Sequence, residues 1–150
     1  MDKISISSRL PGIGESIFST MTALSNRHDA INLSQGFPNF DCAEELKSLV
    51  CKAMRAGHNQ YAPMPGLLAL REEISNKMEL LYGVQVDPIE EVTITAGATQ
   101  GLFTAIAAFV HPGDEVIIFE PAYDSYKPAI QLQGAKTISY TCSAPDFAVD

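Results

Sequence analysis

From residue 91 onward the chain alternates between short apolar, β-branched runs and helical stretches, and that alternation leaves few folds open. Val92, Thr93, Ile94 and Thr95 read as a strand, residues 96–99 as a tight turn around Gly97, and residues 100–110 as a helix apolar nearly all round. His111, Pro112, Gly113 and Asp114 turn the chain into Val116, Ile117, Ile118 and Phe119, a strand buried on both faces. Strand, helix and strand in that order make one βαβ unit, which requires a parallel sheet covered by helices. A helix over residues 125–133 and a strand over 137–141 extend the pattern, with Pro128 tolerated only in the helix's first turn.

Ahead of this region the first forty residues are rich in turn formers: Pro11, Gly12, Gly14 and the run 35–40. Ile17, Met21 and Leu24 recur at helical spacing and predict a helix over residues 16–25, while Ile31, Asn32 and Leu33 form a short extended piece. Asp41 is placed to cap the next helix, with Glu44 completing a capping box and Leu46, Leu49, Val50, Ala53 and Met54 as its apolar stripe. Gly57 follows as a left-handed terminator. After a polar turn, Leu67, Leu70, Ile74, Met78 and Leu81 predict another helix, ended by Gly83.

Composition narrows the function classes. With 150 residues and 46% apolar content the chain suits one domain with a core and excludes disorder. The net charge of −8 repels nucleic acid and anionic membranes, and the ten basic residues form no cluster. The longest apolar run, residues 101–110, is too short to cross a bilayer, and the N-terminus lacks the apolar core of a secretory signal. Cys42, Cys51 and Cys142 contain no Cys-x-x-Cys pair and are expected as buried, reduced thiols, which points to the cytoplasm. Residues 143–150 carry no capping signal, so truncation is expected.

In an open parallel sheet, ligands bind beyond the carboxyl ends of the strands. One such end is the turn at Gly97, Ala98 and Thr99, where exposed amides and a helix dipole favour an anion and Thr99 adds a hydroxyl. A turn that merely needs a glycine is the competing reading. Gly97 and Gly101 give G-x-x-x-G with no Gly-Lys-Ser/Thr after it, which disfavours a nicotinamide or ATP site. The other end runs from Glu120 to Tyr126, where Tyr123 could stack on a flat ring or be an ordinary half-buried tyrosine.

Several stretches together carry a resemblance. They are residues 31–38 (Ile-Asn-Leu-Ser-Gln-Gly-Phe-Pro), Asn59-Gln60-Tyr61 with Pro65-Gly66, Leu70-Arg71, residues 93–99, and residues 112–126 beginning Pro-Gly-Asp-Glu-Val. In this order they resemble the N-terminal part of a class I/II aminotransferase dependent on pyridoxal 5′-phosphate (PLP), of the methionine/kynurenine aminotransferase branch. The resemblance implies an α/β chain that starts a PLP-dependent transferase type I (aspartate aminotransferase-like) fold, mainly parallel sheet covered by helices. Residues 1–40 would be the N-terminal arm and part of the small domain, and residues 41–150 the first part of the large PLP-binding domain.

The same resemblance implies the roles of individual residues. Gly97, Ala98 and Thr99 would hold the cofactor phosphate, Tyr123 would stack on its ring, and Tyr61 would reach the phosphate of the neighbouring subunit in a homodimer. Gly36 would meet the substrate carboxylate, and Phe18 would line the substrate side-chain pocket, with a core role for Phe18 weighing equally. The family's Schiff-base lysine, its pyridinium-pairing aspartate and its carboxylate-clamping arginine lie downstream of the matched region. None of Lys3, Lys47, Lys52, Lys77, Lys127 and Lys136 stands in the family's Ser/Lys motif, so no catalytic residue is expected within the chain. The implied reaction moves an amino group from an amino acid of methionine, aromatic or kynurenine type to a 2-oxo acid. Rival readings are a cysteine-conjugate β-lyase on the same fold and a non-catalytic fragment or interaction module.

Overall fold

The structure, a computed structural model, describes residues 7–36 and 38–149; Lys3 and Phe37 lie outside them. Its elements in chain order are α1 (Ile17–His28), α2 (Glu44–Arg55), α3 (Leu68–Tyr82), α4 (Ala98–Phe109), β1 (Glu115–Glu120), α5 (Tyr126–Leu132) and β2 (Lys136–Thr141). Two compact units divide the chain: residues up to 35 together with those from 96 onward, and residues 36–95.

The first unit contains the parallel crossover. β1 and β2 pair in parallel from Glu115↔Lys136 to Glu120↔Thr141, and α5 connects them. Ile118, Ile130 and Ala135 form the buried core, with Ile106 of α4, Val110 just past its end and Val116 packed against it. Pro128 is the third residue of α5, inside the first turn as required. The loop before β1 is closed by Asp114, whose carboxylate accepts from the His111 amide at 2.7 Å, while Gly113 donates to the Gly134 carbonyl at 3.0 Å. α1 begins at its cap Ser16 and runs three residues beyond the predicted end to His28, where Asp29 turns left-handed.

Residues 92–95 do not form the expected strand, so the crossover unit is β1–α5–β2 and not the one centred on α4. A β-prone run supplies extended backbone but not a partner. Here the Ile94 amide donates instead to the carbonyl of Pro65 at 2.9 Å, within the second unit.

That second unit holds α2 and α3. Asp41 is not the cap of α2; Ala43 is, and the helix starts at Glu44. The Asp41 carboxylate accepts from the Cys42 amide at 2.8 Å and pairs with Lys47 at 2.7 Å, an alternative partner that draws it off the helix end. Gly57 and Gly83 have positive φ just past their helices, as expected. Arg71 is buried and donates to the Ile89 carbonyl at 3.3 Å. The cysteines depart from expectation: all three are free, but Cys42 and Cys51 are exposed and Cys142 is half-buried. Cys51 sits on α2, whose apolar stripe of Leu46, Leu49, Val50 and Met54 is itself about half exposed.

Candidate functional site

α4 starts two residues earlier than its periodicity predicts, which puts Thr99 inside its first turn. The cap is Gly97, at φ 85° and ψ 166°, a backbone region almost confined to glycine. A Cβ there would meet nothing within 4 Å, so the backbone angle and not the space demands glycine. The first intrahelical bond runs from the Gly101 amide to the Gly97 carbonyl at 3.3 Å. The amides of Ala98, Thr99 and Gln100 therefore have no acceptor within the helix and gather at its positive end.

Gln100 was not foreseen. Its side-chain carbonyl accepts from the Ala96 amide, bracing the turn from inside. The signal was available, because a Gln at the third helical position commonly reaches back to the residues before the helix. With the turn held, three amides and the exposed Thr99 side chain make a neutral donor set at a helix N-terminus. That set fits a phosphate without any lysine or arginine.

The turn shares one hollow with the loop that leaves β1. About 470 Å³ of space lies between α4 and α5, with Thr99 and Gln100 at one side, Ser125 and Tyr126 at the other, and Phe103 and Leu132 among the apolar walls. Tyr123 stands beside this hollow: its ring centroid is 6.0 Å from that of Tyr126, at 61°. Half of Tyr123 is exposed, and its ring also lies 6.0 Å from Phe18 of α1, at 36°. Structure thus brings Gly97, Ala98, Thr99, Tyr123 and Phe18 into one unit. The neighbour that Phe18 meets is more than a hundred residues away in sequence.

Gly36 and Tyr61 belong to the other unit. Gly36 is exposed, and Tyr61 is fully exposed in the turn between α2 and α3. The described lysines are surface groups. Lys47 is held above its ordinary value by its hydrogen bond to Asp41 and then by that to Glu44, and the same bond keeps the Asp41 carboxyl low. Lys136 pairs with Glu115 at 2.9 Å, and Lys52, Lys77 and Lys127 are exposed. Among the described residues no cluster of His, Cys, Asp or Glu could hold a metal ion, and no helix is long and apolar enough to cross a membrane.

Known proteins resemble this chain over most of its length. A family model described as aminotransferase class I and II matches residues 28–150. A methionine aminotransferase of Escherichia coli (strain K12) is 51% identical over 143 residues, which cover 95% of this chain and 37% of that protein. Kynurenine–oxoglutarate transaminase 1 of Mus musculus is 36% identical over 132 residues, 87% of this chain and 31% of that one. Among solved structures, YbdL from Escherichia coli, identified there with a methionine aminotransferase function, superposes with a TM-score of 0.93 at 50% identity, over 98% of this chain and 38% of that chain. The aspartate aminotransferase from Rhizobium meliloti gives 0.84 at 30% identity, over 97% and 38%. The chain spans about a third of the length of these relatives.

Proposed function

Because the chain belongs to the class I and II aminotransferases, we propose that it supplies the phosphate turn and part of the substrate pocket of a PLP-dependent enzyme. That enzyme transfers an amino group from an amino acid of methionine, aromatic or kynurenine type to a 2-oxo acid. The observation that carries this reading is the α4 N-terminus, where a glycine-only backbone, three amides without an acceptor in the helix and Thr99 lie beside a hollow with two aromatic rings at its far side. When bound, the cofactor supplies the electron sink for charge developing at the substrate α-carbon.

Each residue of the chain has a defined task under this reading. Ala98 and Thr99 donate their amides, and Thr99 its hydroxyl, to the phosphate, while Gly97 gives the turn its shape. Tyr123 covers one face of the pyridine ring and keeps water from it. Phe18 lines the pocket for the substrate side chain, and the Gly36 backbone meets the substrate carboxylate. Tyr61, fully exposed here, reaches the phosphate held by the partner subunit of a homodimer. Residues 1–40 serve as N-terminal arm and part of the small domain, and residues 41–150 open the large domain. The Schiff-base lysine lies outside residues 1–150, in keeping with the surface positions of the lysines described above. The excess of acidic residues supports small-molecule partners and neither a nucleic-acid nor a membrane partner, and the three free cysteines support a cytoplasmic enzyme.

The test is titration of the full-length apoprotein with PLP, in the wild type and in Thr99→Leu. Losing a donor to a charged phosphate and crowding the turn should weaken binding about 10- to 100-fold, the scale of one hydrogen bond to a charged group. Equal affinity in the two proteins would remove the phosphate from this turn.

A further inference from the structure

α1 has no buried residue, so apolar packing does little to hold it in its unit. Specific contacts do that instead, and two of them converge on the loop after β1. The Ser16 hydroxyl oxygen accepts from the Phe18 amide at 3.2 Å, capping the helix, and the same hydroxyl donates to the Asp124 carboxylate at 2.8 Å. One hydroxyl does both because it has a single hydrogen to give and lone pairs left to accept. The Asp124 carboxylate also lies at the positive end of the α1 dipole, which favours it there. Immediately beside this bond Phe18 meets Tyr123. The polar and aromatic contacts join the same two segments, 108 residues apart along the chain at the hydroxyl.

We propose that the Ser16–Asp124 hydrogen bond is a latch that sets Phe18 against Tyr123 and thereby tunes the enzyme's preference for bulky over small substrate side chains. The second half of this statement rests on the aminotransferase reading, under which Phe18 lines the substrate pocket and Tyr123 covers the cofactor. Ser16 and Asp124 are positioning residues, and they act through the two rings. Without the latch α1 keeps its cap and its helix, but its first turn moves away from the loop. A small side chain does not reach Phe18 and is indifferent to that movement, whereas a large one loses its apolar wall.

Three variants of the full-length protein separate the latch from the cap. Asp124→Ala removes the acceptor and leaves the cap intact. Ser16→Asp keeps a capping oxygen but replaces the donor with a second carboxylate. The double variant Ser16→Asp with Asp124→Ser reverses the pair and restores a donor opposite an acceptor. In the apoprotein, hydrogen exchange across residues 15–28 should speed up about 5- to 10-fold in each single variant and return to wild type in the double variant, the scale of one ordinary hydrogen bond at a solvent-exposed site. In the loaded enzyme, KM for methionine and phenylalanine should rise about 10-fold in the single variants, with KM for alanine and PLP affinity within about 2-fold. Unchanged exchange in both single variants overturns the latch. Equal changes in KM for bulky and small substrates overturn its role in discrimination. A wild-type protein that transfers no amino group overturns the aminotransferase reading and the discrimination with it, while the exchange result still decides the latch.

Discussion

Gly97 and Thr99 show how much one backbone angle decides. At φ 85° and ψ 166°, Gly97 occupies a region that an L side chain enters at a cost of about 1–3 kcal/mol. The surrounding space is open, so Gly97→Ala should fold and yet resist the turn's shape. If the turn must be held to bind phosphate, that cost appears in binding, and PLP affinity of the full-length Gly97→Ala protein should fall about 10- to 100-fold. Fluorescence titration would measure it, and wild-type affinity would mean that the amides bind without this geometry. Gly97, Ala98 and Thr99 were legible in the sequence because a glycine between a β-prone run and a helix has a local meaning. Gln100 was also legible in principle, from its position three residues past the cap. The contact between Phe18 and Tyr123 was not, because no local pattern reports a meeting across so many residues.

At the level of elements, Pro65 and Gly66 form the turn that leads into α3. Gly66 has φ 98°, its amide donates to Pro63 at 2.8 Å, and a Cβ on it would collide with the side chain of Ile94. The neighbouring Pro65 carbonyl receives the Ile94 amide, so the close approach that excludes a Cβ is what joins residues 92–95 to this turn. Gly66→Ala therefore combines backbone strain with overpacking and should cost about 2–4 kcal/mol. Urea unfolding of the full-length protein would read this as a lower midpoint at unchanged slope. A shift corresponding to less than about 0.5 kcal/mol, ordinary for surface changes, would mean that the turn relaxes freely. The helices themselves were readable from periodicity and terminal glycines. The start of α2 was misread because Asp41 had a second suitor in Lys47, and a cap is decided by which partner is nearer.

The molecule as a whole exposes more apolar surface on its helices than its small core uses. α4 is apolar nearly all round, yet Leu102 and Phe103 are more than a third exposed and Phe109 is 80% exposed. A helix of that kind belongs inside a larger core. This agrees with a relative of which the chain covers 37%, and it bears on where the reactive lysine lies. A Schiff-base lysine needs a lowered pKa, from desolvation or from neighbouring cations. Lys47 is pushed the other way by two carboxylates, and the other described lysines are exposed. Borohydride reduction of the full-length protein with PLP should therefore place the dominant adduct on a lysine outside residues 1–150. Peptide mapping by mass spectrometry would show it, and near-complete labelling of any one of the six lysines here would refute the assignment.

Residue patterns alone determined the family, the helices, the parallel pair and the glycine turn, because each is written in local spacing, propensity or a contiguous motif. Only the tertiary structure decided that residues 92–95 form no strand and that Ile94 bonds to the Pro65 turn. It also decided that Asp41 serves Lys47, that the cysteines of α2 and its approach stand exposed, and that Ser16 and Phe18 meet Asp124 and Tyr123. All of these are choices among partners distant in the chain or competing at similar range. Their outcome depends on distances in space, which a linear pattern of residue types does not contain.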